Sequence, residues 1–261
     1  MSTFRVLTVG GLISYRALFN WIHPAIYIPS VLGFPMFQIL FFAYLGRFSG
    51  LRDDAFFVTG NAVQAAGMAG IYASVFTIGN DRFYGTLGPL LASPASRAAL
   101  FTGRALPIVA NGLLVSAFGF VVGWAFLDFD PPLASLPPLA LIVLVSAFAT
   151  TAFGMLLGSI GLRTKDILLI SNLAYFLMWL FCGVNVPLET LPGWMQLVGE
   201  GLPVTHAVEA AREVVDGARI GSVWKLVVAE AGIGAGYLIA AFGLFRVFER
   251  EARRHATLET T

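Results

Sequence analysis

The sequence predicts an all-α, polytopic membrane protein. The expected architecture has six transmembrane helices, an N-terminal helix in the membrane interface, short helices beneath the bilayer after the second span, and short external helices that re-enter the membrane before the last span. Three observations carry this prediction. Hydrophobic residues make up 57% of the 261 residues and charged residues only 12%, whereas soluble domains average about 25% charged. Apolar runs long enough to cross a bilayer recur along the chain. Lysine and arginine are divided unevenly between alternate loops, the pattern left when positive residues stay in the cytoplasm.

Residues 1–23 do not read as a secretory signal, because Arg5 and Arg16 stand far apart and no compact apolar run with a small-residue cleavage site follows. Phe4, Leu7, Gly11, Tyr15, Leu18 and Ile22 recur at helical spacing, with Arg5, Thr8, Arg16 and Asn20 on other faces. That pattern predicts an interfacial helix. Trp21, His23 and Tyr27 are anchors of the membrane–water boundary by residue type.

The first span is expected over 24–45, made irregular by Pro24, Pro29 and Pro35. The second covers 55–79 and carries Asn61 and Gln64 one turn apart on one side. Polar groups in a span face protein or a water-filled cavity. The favoured reading is a hydrogen bond between helices; a translocation path is the alternative, with Asn111 and Asn172 as further candidates to line it. The remaining spans are expected over 105–127, 139–160, 167–184 and 223–248. Gly119/Gly123, Gly154/Gly158 and Gly232/Gly236 have the spacing of small residues that let helices approach, and all three pairs are read as packing sites.

On this topology eleven of the 16 lysines and arginines lie inside, while Arg47, Arg52, Arg212, Arg219 and Lys225 lie outside. Both termini are therefore expected in the cytoplasm, in a cell (inner or plasma) membrane. The inside loop 80–104 is the most informative stretch. Arg82, Arg97 and Arg104 stand against the single acid Asp81, Gly85 and Pro89 punctuate it, and Ser93–Pro94 reads as a helix cap followed by a first-turn proline. Two short helices joined by a turn are expected there.

The external segment 185–222 is partly apolar. Leu188, Leu191, Trp194, Met195 and Val198 form one apolar set, Pro203 is expected to start a second helix and Gly217 to end it. In that helix Val204, Val208, Ala211 and Val215 share one face, and His206, Glu209, Glu213 and Asp216 another. His206, Glu209 and Glu213 have the spacing of metal ligands on one helix. The reading adopted is a solvated polar face on which Arg212 pairs with Glu209 or Asp216.

The wording of the inside loop resembles the cytoplasmic loop of ABC-2 type transporter permeases. That family carries roughly acidic-Arg-x-x-Gly-Thr-Leu-Glu-x-Leu, then small-x-Pro, then Gly-Arg at the start of the next span. Asp81, Arg82, Gly85, Thr86, Leu87, Leu90, Leu91, Pro94, Gly103 and Arg104 stand in those roles, and the match departs at Gly88, where the family often has an acid. A second match lies in the external segment, where the family's LP-x-W and LP-x-T-H-x-x-E-x-x-R wording meets Leu191, Pro192, Trp194, Leu202, Pro203, Thr205, His206, Glu209 and Arg212. Pro187 opens that segment.

The resemblance implies a membrane permease subunit of an ATP-binding cassette exporter. It implies that Asp81 to Pro94 and Arg97 couple to a separate cytoplasmic ATPase, that Pro187 to Arg212 form re-entrant external helices, and that two permeases, identical or homologous, enclose the path within membrane lipid. The chain itself has no P-loop: its two lysines, Lys165 and Lys225, are neither preceded by Gly nor followed by Ser or Thr. ATP and magnesium are thus expected on the partner ATPase, with no cofactor on this chain, no enzyme activity of its own, and no nucleic-acid partner. An intramembrane serine protease, which would need a His in another span at the depth of Ser159, is rejected because no His lies in any expected span. The alternatives kept are an ion- or proton-coupled carrier, for which Glu230 is the one strong candidate group, and a non-transporting membrane assembly protein.

Overall fold

A computed structural model describes residues 28–50, 52–83, 97–161 and 167–255, and among them every regular element is helical. A π-helical turn at Ile28–Leu32 leads into α1 (Gly33–Ser49). α2 (Asp54–Phe83), α3 (Arg97–Phe126), α4 (Leu136–Gly161) and α5 (Ile167–Phe181) follow. Two short helices, α6 (Gly193–Gly201) and α7 (Thr205–Val215), precede the long α8 (Ile220–His255). Among the described residues, three stretches are long and apolar enough to cross a membrane, Gly103–Phe126, Leu133–Ile160 and Ile220–Val247, and Leu168–Phe181 is a shorter apolar helix. The protein is thus all-helical and polytopic.

Several boundaries differ from the sequence reading, each for a local reason. α1 proper begins at Gly33, and Pro35 falls in its first turn, where a missing N–H removes no helical bond. It runs on to Ser49 and stops at Gly50, whose φ of 63° only glycine adopts without strain. α2 continues past the end of its apolar run to Phe83, and α3 starts at Arg97, before its apolar run. α5 ends at Phe181, three residues short of the expected 184, and α7 starts at Thr205, just after Pro203. The expected interfacial helix over 1–23 lies outside the described residues.

α2 and α4 form the centre, with α3 and α1 on one side, α8 against α4, and α5 across α2 and α4. Their seam is made of small residues because close backbone approach, not greasy bulk, holds helices together in lipid. A Cβ at Gly154 would stand 2.8 Å from Ile71 Cα, and one at Gly123 only 2.3 Å from Val58 Cγ1. The sixth-span pair behaves otherwise: Gly232 and Gly236 face open space, and Gly234 makes the contact, its Cβ position 2.8 Å from Ala149 Cα. A spacing of four marks one helix face, but only the neighbour decides which face is covered.

The Arg47 side chain pairs with Asp54 and also reaches Asp128 at 3.0 Å. The end of α1, the start of α2 and the residue pair after α3 therefore share one end of the bundle, so α2 and α3 run antiparallel. The loops expected outside are gathered there.

Candidate functional site

The polar side chains buried among the spans form a chain of contacts. Gln38 on α1 donates through Nε2 to Asn61 Oδ1 at 2.8 Å. Asn61 Nδ2 donates to Asn185 Oδ1 at 2.8 Å and to the Phe57 carbonyl at 2.9 Å. Tyr175 on α5 donates its hydroxyl to Gln38 Oε1 at 3.2 Å. Gln38, Asn61 and Tyr175 are all buried, so the network ties α1, α2, α5 and the segment after α5 inside one protomer. Gln64, on the same side of α2, is fully enclosed and has no hydrogen bond to the described residues. Asn172 lies apart from this set: it is exposed on α5 and accepts a hydrogen bond from the Tyr72 hydroxyl at 2.5 Å. Asn111 is half-buried on α3. Sequence reasoning missed Gln38, Tyr175 and Asn185. Gln38 carried the available signal, an amide inside an otherwise apolar run.

The two short helices before α8 are built around buried polar contacts. Pro187 precedes a short 3-10 turn at Leu188–Thr190, Leu191 follows it, and Pro192 caps the start of α6. Trp194 is 61% exposed and meets Phe181 edge to face at 5.8 Å. The chain then turns through Pro203 and Val204 into α7. Val204 has φ 86°, a region that β-branched residues avoid. Its N–H donates to Glu230 Oε1 at 2.7 Å, so a carboxylate from α8 caps α7. Glu230 is ten residues past Ile220, hence about 15 Å along α8 from its N-terminal end. The start of α7 lies at that level of α8, and α7 runs back from it towards the N-terminal end of α8.

Arg212 corrects the sequence reading. It pairs with neither Glu209 nor Asp216. Nη1 donates to the Gly183 carbonyl at 2.8 Å, and Nη2 to the carbonyls of Val184 at 2.7 Å and Phe56 at 3.3 Å. The guanidinium carbon lies 3.5 Å from the Phe56 ring centroid, an arrangement that suits a planar cation. Gly60 leaves room for it, since a Cβ there would stand 2.5 Å from the Val184 oxygen and 2.7 Å from Nη2. Burial lowers the Arg212 pKa to about 9, which leaves it protonated at neutral pH. His206 is half-buried, and Glu209 and Glu213 are exposed.

At the opposite end of the bundle, Asp81 and Arg82 fall in the last turn of α2, and Arg97 opens α3. Gly85, Thr86, Leu87, Leu90, Leu91 and Pro94 lie outside the described residues.

Comparison with known proteins agrees with this architecture. The sequence pattern of the ABC-2 type transporter family matches residues 11–215. The chain is 24% identical over 241 residues to the daunorubicin resistance ABC transporter permease protein DrrB1 of Streptomyces coeruleorubidus, covering 89% of this chain and 84% of that protein. It is 26% identical over 167 residues to the inner membrane transport permease YhhJ of Escherichia coli K12, 64% of this chain and 45% of that one. It is 25% identical over 178 residues to the probable multidrug ABC transporter permease YbhR of the same strain, 65% of this chain and 46% of that one. A helical membrane bundle whose sequence follows the family pattern over residues 11–215 belongs to the ABC-2 type transporter family, as a membrane permease subunit of an ABC exporter.

Proposed function

We propose that this permease works as a pair, with itself or with a homologous permease, on a separate cytoplasmic ATPase that holds ATP and magnesium. The observation that carries the reading is the family pattern over residues 11–215, on a bundle whose centre is closed. Val58, Ala62, Val63 and Ala66 on α2 and Ala147 on α4 are fully buried within one protomer. A close-packed interior has no room for a substrate, so the path runs between two permeases. The outward face of α5, with Leu169, Leu173, Phe176 and the exposed Asn172, is an apolar wall with one polar handle and suits that path. Such a wall fits an amphipathic small molecule, in keeping with the drug named for one relative.

Residues 80–104 face the cytoplasm in this proposal and transmit the motion of the ATPase to α2 and α3. Leu87, Leu90 and Leu91 seat in a groove on that partner, and Arg82 pairs with an acid there. Replacing Leu87 and Leu90 by Asp places unpaired charge in a dry contact, at a cost of about 3 kcal/mol or more. The test measures copurification of the ATPase and ATP-driven substrate uptake into inside-out vesicles, at matched expression. The expected variant inserts normally but loses one or both. Wild-type values for both would reduce the loop to a connector and remove this mechanism.

A further inference from the structure

The turn between α6 and α7 is pinned from two sides by side chains with no part in the proposed path. From α8, Glu230 accepts from the Val204 N–H at 2.7 Å, and the Tyr237 hydroxyl donates to the Gly201 carbonyl at 2.7 Å. From the end of α5, the Cys182 thiol donates to the Pro203 carbonyl at 3.4 Å. Within the turn itself, the Thr205 hydroxyl donates to the Gly199 carbonyl at 2.6 Å. Glu230 is fully buried and finds no ion-pair partner among the described residues. Its carboxyl group faces the amide end of α7: Oε1 accepts from the Val204 N–H, and the His206 and Ala207 amides lie beside it. Oε2 makes no full hydrogen bond.

The two ends of α7 are therefore held to different parts of the bundle, and held unequally. Arg212, near the outer end, has three carbonyl acceptors and a ring beneath it, all on α2 or just after α5. The inner end is held to α8 through the Val204–Glu230 bond, beside the Tyr237–Gly201 bond, and that valine is held at φ 86°. A β-branched residue in that conformation stores strain that its surroundings must hold in place. Any movement of α8 against α2 and α5 has to break one of these attachments, and the one that depends on a strained valine is the weaker.

We propose that Glu230 is a positioning residue for transport: its carboxylate latches the inner end of the re-entrant helix α7 to the last span, and release of this latch is the step that opens the outer side. On release Val204 relaxes, the Pro203–Val204 segment moves off Cys182, and water reaches the thiol from outside. The role in turnover rests on the proposed function above; the latch itself does not.

Cys182 is the chain's one cysteine and is 1% exposed, so it reports the opening without any background substitution. The test is the rate of its modification by a small, water-soluble, membrane-impermeant methanethiosulfonate added outside, in the full chain in membranes without ATPase. Wild type is expected to react slowly. Glu230→Met keeps most of the volume but offers no oxygen to the Val204 N–H, and should raise the rate about tenfold, the cost of leaving a buried donor unpaired, whereas Glu230→Gln, which keeps an acceptor oxygen, should stay nearer wild type. Glu230→Ala should raise it further, and Cys182→Ser in either background should abolish the signal. A space-filling role for Glu230 predicts no change in the Met variant, so a Met variant reacting at the wild-type rate overturns the latch even where the Ala variant fails to insert. In the assembled transporter, ATP turnover should speed modification of wild-type Cys182. A rate unmoved by turnover that does export substrate would overturn the gating step, whereas absence of any ATP-driven export would count against the proposed function instead.

Discussion

α5 contains no charged residue, yet Leu168, Leu169, Leu173, Phe176 and Leu180 are each half or more exposed. α7 carries a histidine, an arginine and two glutamates in 11 residues, yet Ala207, Val208, Ala210, Ala211 and Val214 are all but fully buried. In water the order would be reversed. Lipid tails are as apolar as leucine, so hydrophobicity gives α5 no reason to hide. What selects α7 for the interior is a side lined with small residues that let it close on α2, α4 and α8, and polar ends that find partners there. Burial in this bundle follows shape and hydrogen bonding, and the two helices are its opposite extremes.

The comparison breaks most readily at Arg212. Arg212→Ala leaves three inward carbonyls without their donor and removes the cation above Phe56. The expected cost is about 3 kcal/mol, with α7 detached at its C-terminal end. Arg212→Lys should recover only part of this, because one ammonium cannot reproduce a planar fork. Thermal unfolding in detergent, followed by size-exclusion chromatography, measures both. A loss no larger than for an exposed residue would mean that α7 is held by packing alone.

A smaller effect tests the packing side of the contrast. Ala210 is fully buried on α7. Ala210→Leu makes the helix more hydrophobic, which would stabilise it if apolarity were the cause of burial. The expectation is instead a destabilisation of about 1–3 kcal/mol from overpacking. An increase in stability in the same unfolding assay would overturn the shape argument.

The smallest effect is expected on α5. Phe176→Ala removes an aromatic ring that is 61% exposed and touches Trp179 at 6.4 Å between centroids. Stability of the single permease should stay within about 0.5 kcal/mol of wild type. Export by the assembled transporter should fall or change its substrate preference, since this face borders the proposed path. Unchanged export across several amphipathic substrates would move the path away from α5.

The sequence by itself determined the class, the helical architecture and the family. Few charges, long apolar runs and two stretches of family wording are local properties of the chain, and they survive whatever the helices pack against. It also marked Asn61, Arg212 and Glu230 as residues out of place in their surroundings. Only the tertiary structure decided what each does. Asn61 meets Gln38 and Asn185, 23 residues before it and 124 after it, so no local pattern could pair them. Arg212 looked like one charge on a solvated face because helical spacing sets Glu209 and Asp216 near it. The nearby carbonyls of Gly183, Val184 and Phe56, exposed where α5 ends and α2 begins, are better partners for a buried guanidinium than acids facing water. Glu230 had no visible partner in the sequence because its partner is a backbone amide, which every residue but proline carries. A backbone amide becomes a specific site for an anion only when the fold brings a helix end to it.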